Sequence, residues 1–159
     1  MKVLYATFAF GVPQNTIPNR ALSQWTTTKA IANEASVYTQ ADIVLLDESV
    51  EVRRVEESPG NPPPTLRIAR GAAEYARELG VDEIHVLAAE PHRWRALRDQ
   101  RKAVEELDLD VEVKPANIPN VGWYDKQSSQ KRVRSCLNWW PRELILRAMP
   151  FSLYKRVAS

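Results

Sequence analysis

The stretch "VLAAEPHRWRAL", residues 86–97, decides how this chain is read. It begins as a short apolar run and then passes abruptly through Glu90, Pro91, His92, Arg93 and Arg95. An apolar run of that length, bounded by a polar turn, reads as a buried strand over residues 83–89. Pro91 then suits the first turn of a helix, where its missing N–H leaves no bond unmade. A strand running straight into a helix is the unit from which parallel sheets are built, because each crossover must pass over the sheet.

The same pattern recurs on either side. Thr65 predicts an N-cap, Ile68, Ala72, Tyr75 and Leu79 recur at helical spacing, and Gly80 stands where a helix end favours positive φ. Residues 110–114, "DVEVK", predict another strand, and residues 3–10 a first strand that stops at Gly11 and Pro13. Residues 20–38 predict a helix in spite of three threonines at 26–28, and residues 42–47, "DIVLLD", a second strand with acids at its mouth. Residues 49–64 contain "SPGNPPP", whose prolines exclude helix and central strand and predict a long loop or lid. Ser128 or Ser129 is expected to cap a last helix with Val133, Cys136, Leu137, Trp140 and Leu144 inward, kinked or divided at Pro141. Alternating strands and helices predict an α/β fold with a mainly parallel sheet, in a single domain spanning residues 1–159.

Composition narrows the function classes. With 44% hydrophobic and 26% charged residues the chain is neither disordered nor fibrous. One cysteine, Cys136, and two histidines offer neither a disulfide nor a zinc spacing, which predicts no metal and a reducing, cytoplasmic compartment. The apolar N-terminal run is too short to cross a bilayer, so no membrane span is expected. Net charge is only +2, yet residues 126–159 hold eight Lys or Arg against one acid, Glu143. That segment is either a solvated basic face or a surface for nucleic acid or another polyanion.

In a parallel α/β sheet, ligands settle beyond the carboxyl ends of the strands. The candidate residues are therefore those trailing each predicted strand. Gly11 and Asn15 follow the first, Asp47 and Glu48 close the second, Glu90, His92, Arg93 and Arg95 follow the third, and Trp123 and Tyr124 follow the fourth. Neither G-x-G-x-x-G nor G-x-x-x-x-G-K-[ST] is present, so an ordinary dehydrogenase or P-loop enzyme is not expected, and no cofactor is specified. His92 reads either as a hydrogen-bonded bystander or as an acid/base group, and His85 as structural. On a helical wheel Trp94, Leu97, Val104 and Leu107 face inward with Arg93 near them, and Arg95 points away. Asp47, Glu48 and Glu90 can serve acid/base chemistry or accept from hydroxyls; their spacing does not specify a metal site. Trp123 either stacks on a flat ligand or packs in the core with Trp139 and Trp140.

The run "GAAEYARELGVDEIHVLAAEPHRWRAL" resembles the middle of the YdcF/SanA/ElyC-like family of bacterial proteins, with His92, Arg95 and Ala96 as the H-x-x-R-A element. Upstream, "PNRALSQWTTTKAIANEASVYTQADI" is similar to a segment of that family, with Asn19 near a helix start and Gln40 before a strand. The family's glycine pair at the first strand end is replaced here by "FAFGVPQN". The resemblance implies a Rossmann-like three-layer α/β/α sandwich and a pocket around His92 and Arg95, with Thr65 and Arg67 matching a polar helix start; it implies no particular reaction. In the resemblance Arg95 is the ligand-side arginine, whereas the wheel favours Arg93. Taken together, the sequence predicts a domain that holds a small anionic or nucleotide-like molecule, whether as a binding module or as an enzyme acting on it, with His92 orienting or protonating the ligand. The alternative is a non-enzymatic module using the basic C-terminal helices.

Overall fold

Every residue of VLYATF is buried, as a strand covered on both faces must be, and this segment forms β1 (Val3–Phe8) at the centre of the sheet. The computed structural model describes residues 1–58 and 61–158. After β1 come α1 (Ile17–Ala32), β2 (Ser36–Thr39), β3 (Val52–Arg54), α2 (Thr65–Leu79), β4 (Glu83–Ala88), α3 (Glu90–Glu106), β5 (Glu112–Pro115), α4 (Cys136–Ala148) and α5 (Phe151–Val157). The strands lie in the order β3-β2-β1-β4-β5 and all neighbours pair in parallel. The fold is thus the expected α/β class, a Rossmann-like sandwich.

Alternation along β1 divides the core into two layers. Leu4, Ala6 and Phe8 pack against Ile68, Ala72 and Ala76 of α2 and Ala96 and Ala103 of α3. Val3 and Tyr5 face the other way, toward Leu22 and Ala30 of α1, Ile43, and the irregular segment carrying Ala116, Ile118 and Trp123. α2 ends as its sequence predicts, with Gly80 in the left-handed region at φ 61° and its N–H returned to the carbonyls of Ala76 and Arg77. No helix among the described residues is long and apolar enough to cross a membrane.

Four expectations are corrected. The second strand is β2, not residues 42–47: α1 stops at Ala32, and the β-branched and aromatic run Val37, Tyr38, Thr39 pairs with β1 instead. The DIVLLD segment is irregular, and its backbone is satisfied by side chains of α1, with Val44 N–H donating to Ser23 Oγ (3.1 Å) and Leu46 N–H to Thr27 Oγ1 (3.0 Å). The threonines that weaken α1 by propensity therefore hold a neighbouring loop, and Thr26 reaches Thr7 of β1 at 2.9 Å. Second, residues 49–64 are not loop throughout, since β3 lies within them as an edge strand; Pro59 and Gly60 of that stretch fall outside the described residues.

Third, α4 is capped by Ser135, whose side chain accepts from Asn138 N–H, while Ser128 is buried and donates to the Val12 carbonyl. Pro141 lies on the exposed side of α4, which continues through it, and the break between helices falls at Pro150. Fourth, the buried face of α4 consists of Trp139, Glu143 and Leu146, whereas Leu137 is 82% and Leu144 58% exposed and Cys136 is also exposed. The cause lies in the site, where polar partners turn this helix.

Candidate anion-binding site

From β1 the chain moves outward to β2 and β3, then returns across the sheet to β4 and β5. Between β1 and β4 the direction of winding reverses, and the loops leaving these two strands part to leave a crevice. Gly11 on the β1 loop, Thr65 at the start of α2, His92 and Arg95 in the first turns of α3, and Arg132 and Arg142 from the C-terminal segment line a cavity of about 190 Å³ there. Thr65, His92 and Arg95 are buried, whereas Arg132 and Arg142 stand at the mouth with part of each side chain in solvent. Gly11 holds φ 87° against Ser128 and Val133, so the β1 loop and the segment bearing Arg132 approach closely. Among the described residues, none that lines the cavity is Asp or Glu.

α3 buries Val104 and packs Leu97 and Leu107 against the same core cluster, as the wheel predicts, but its buried stripe runs through His92 and Arg95 and not through Trp94. Pro91, His92, Arg95, Ala96, Asp99, Gln100 and Ala103 are buried, while Trp94 is exposed and covers the guanidinium groups of Arg98 and Arg147 at 5.1 Å each. Ala96 and Ala103 let the helix approach the sheet, and the polar side chains on the same arc are carried inward with them. Arg95, not Arg93, therefore enters the cavity.

His92 is 6% exposed and lies among Phe8, Phe10 and Trp139, with ring centroids 6.2, 6.4 and 5.8 Å away. Its Nε2 is 3.1 Å from Thr65 Oγ1, and the same oxygen accepts from Arg95 Nη1 at 2.9 Å. Thr65 is thus the first residue of α2 and not its cap; its hydroxyl is spent on the site. Arg95 Nε donates to Glu143 at 3.0 Å, and Arg147 Nε donates to the other oxygen of that carboxylate at 3.1 Å. Glu143 is enclosed between them, while Trp139 Nε1 and Arg147 Nη2 both donate to the Pro91 carbonyl. These bonds set which face of α4 turns inward.

Charge is left over. One buried carboxylate is shared by two arginines, and Arg132 and Arg142 make no ion pair among the described residues. Burial, then Arg142 and Arg95, push the Arg132 guanidinium down to about 10, and burial and Arg95 lower Arg142. Burial holds His92 well below the ordinary imidazole range, reinforced by Arg95, Arg132, Arg147 and Arg142, so the ring is neutral at neutral pH. Crowded cations with too few acids are relieved by a bound anion, which guanidinium groups receive through paired N–H donors.

Among the residues singled out from sequence, Gly11, Thr65, His92 and Arg95 meet in this cavity. Asn19 is buried behind it, accepting from Phe10 N–H and donating to the carbonyls of Gly11 and Pro13, so it shapes the β1 loop. Asn15 borders a separate cleft with Asp42 and Glu57. Asp47 and Glu48 are exposed on the connection that carries the chain back to the start of β3, with Asp47 accepting from Ser49; they do not line the cavity. Arg67 and Glu90 are exposed and Arg93 is half-buried, all outside the lining. Trp123 is buried in the layer against α1, packed as core. His85 pairs with Glu83 at 2.6 Å and contacts Tyr5 edge-on, a structural role. Arg132, Arg142, Trp139 and Glu143 escape a reading of the sequence for ligand contacts; their one signal is the basic C-terminal run. No group of His, Cys, Asp and Glu among the described residues could hold a metal ion.

No protein-family model matches the chain, and no curated protein matches it.

Proposed function

We propose that this chain is a binding domain for a small anionic, nucleotide-like ligand, received at the carboxyl ends of the strands with its negative charge on Arg95, Arg132 and Arg142. The observation that carries the reading is the convergence of these three arginines on one cavity with no Asp or Glu among its described lining residues, where Arg95 shares a single carboxylate with Arg147. His92, held neutral, orients the ligand by hydrogen bonding and does not stand ready as a charged acid. The likeness to the YdcF/SanA/ElyC-like pattern supports the choice of His92 and Arg95. The rival reading, a nucleic-acid or surface module, would draw on Arg132, Arg142, Lys126, Lys131, Lys155 and Arg156, all exposed; the cavity reading is preferred because Arg132 and Arg142 also line the cavity and Arg147 is tied to the Pro91 carbonyl of α3.

The test is thermal unfolding with inorganic phosphate, a nucleoside monophosphate and citrate, on the protein and on the double variant Arg132→Gln, Arg142→Gln. At a hundred times Kd a ligand adds about 2.7 kcal/mol, a rise of roughly 5–10 °C for a chain this size. The variant should fold and lose most of that rise. No rise with any of the three anions, or an equal rise in the variant, overturns the reading.

A further inference from the structure

Resting on that reading, we propose that the cavity selects a fully deprotonated tetrahedral dianion, a phosphoryl or sulfuryl group, and that His92 grips it through Nδ1–H. Thr65 sets the order of the protons. Arg95 can only donate, so the Thr65 oxygen accepts from Nη1 (2.9 Å), and the hydroxyl keeps one proton to give. The other polar atom bonded to that oxygen is His92 Nε2, at 3.1 Å. Were the ring proton on Nε2, both neighbours would donate to the hydroxyl and its own proton would be stranded in a buried residue. The arrangement that uses every proton runs from Arg95 to Thr65 to Nε2 and puts the ring proton on Nδ1.

That Nδ1 is buried and makes no hydrogen bond among the described residues. The ring that bears it lines the cavity together with Arg95, Arg132 and Arg142. Gln40 lines the cavity as well, with its side chain held by Ala9 N–H and the Asp42 carboxylate. A cavity furnished with arginine donors, and with no Asp or Glu among the described residues that line it, favours an oxyanion that carries no proton. At about 190 Å³ it is smaller than the pockets of roughly 300–1,000 Å³ that hold whole drug-sized ligands, so it takes a head group and leaves the rest of a larger ligand at the mouth. The charged groups around His92 are Arg95 of α3, Arg132 of the Lys131–Val133 turn and Arg142 and Arg147 of α4, with Glu143 tied to Arg95 and Arg147; α2 contributes Thr65, and β1 with its loop contributes Phe8 and Phe10.

The test is calorimetric titration of the full chain with sulfate, methyl phosphate and acetate at pH 5 and pH 8 and constant ionic strength, with ring ¹⁵N spectra of His92. Methyl phosphate, whose second ionisation lies near pH 6, should bind about tenfold more weakly at pH 5, while sulfate changes less than about twofold. Acetate should bind far more weakly than either. Thr65→Val, which keeps the shape and breaks the relay, should weaken sulfate about tenfold, and Thr65→Ser should retain it. Acetate binding as tightly as sulfate, methyl phosphate insensitive to pH, an Nε2–H ring, or Thr65→Val binding like the parent overturns this inference while leaving anion binding intact. If none of the three anions binds at either pH, it is the broader reading that falls.

Discussion

α2 and α4 are both amphipathic by composition, and they bury opposite kinds of surface. α2 turns Ile68, Ala69, Ala72, Ala73, Tyr75 and Ala76 to the sheet and Arg67, Glu74, Arg77 and Glu78 to water. α4 turns Trp139, Glu143 and Leu146 inward and leaves Leu137, Leu144 and Ile145 in solvent. A hydrophobic stripe reports which face leaves water only when that transfer outweighs every other force orienting the helix. For α4 electrostatic pairing outweighs it. One carboxylate satisfies the buried Arg95 and the half-buried Arg147, and turning the helix over would leave Arg95 uncompensated.

The sharpest way to break this contrast is Glu143→Gln on α4. Removing one partner of a buried ion pair costs about 3–5 kcal/mol, and here the change strands two arginines. Denaturant unfolding should show a loss of that size, partly recovered by added sulfate as the crowded cations gain a counter-charge. A loss below about 1 kcal/mol, the range of exposed pairs, would mean that Trp139 and Leu146 alone set the helix face. The matching change on α2 is Gly71→Ala, whose added Cβ would run into the Tyr38 hydroxyl. Overpacking of this kind costs about 1–3 kcal/mol. Since Gly71 lies outside the cavity lining, titration should find anion affinity unchanged, and a parallel fall in affinity would show that the two helices do not divide fold from site.

The same contrast explains what is legible in the sequence. β1, α2 and β4 can be read because burial, periodicity and the Gly80 terminus agree with one another. Gly11, Thr65, His92 and Arg95 are within reach because the ends of parallel strands converge by topology. Residues 42–47 mislead because an apolar run matches a strand, whereas its backbone is held by Ser23 and Thr27, contacts between residues about twenty positions apart that local pattern does not carry. Asp47 and Glu48 go astray with it, since that segment leads back to the amino ends of the strands, where β3 begins beside β2. Arg132 and Arg142 are visible only as part of a charge run. Their convergence with Arg95 depends on how the last forty residues fold back over the sheet edge, and charge spacing along the chain is silent on that.

The smallest effect is the most discriminating for α4, because the two accounts of the helix differ most on its outer face. If the pattern of apolar residues oriented it, Leu144 and Ile145 would be core, and Leu144→Gln and Ile145→Gln would each cost several kcal/mol as large-to-polar core changes do. In the structure Leu144 is 58% and Ile145 63% exposed, with neither belonging to a core cluster. Changes at such positions stay within about 0.5 kcal/mol. Urea midpoints should therefore shift little for either variant, and for the pair the two small effects should add. A midpoint loss on the scale of a core residue would place this face against a partner surface and remove the ground for treating Glu143 as the group that orients the helix.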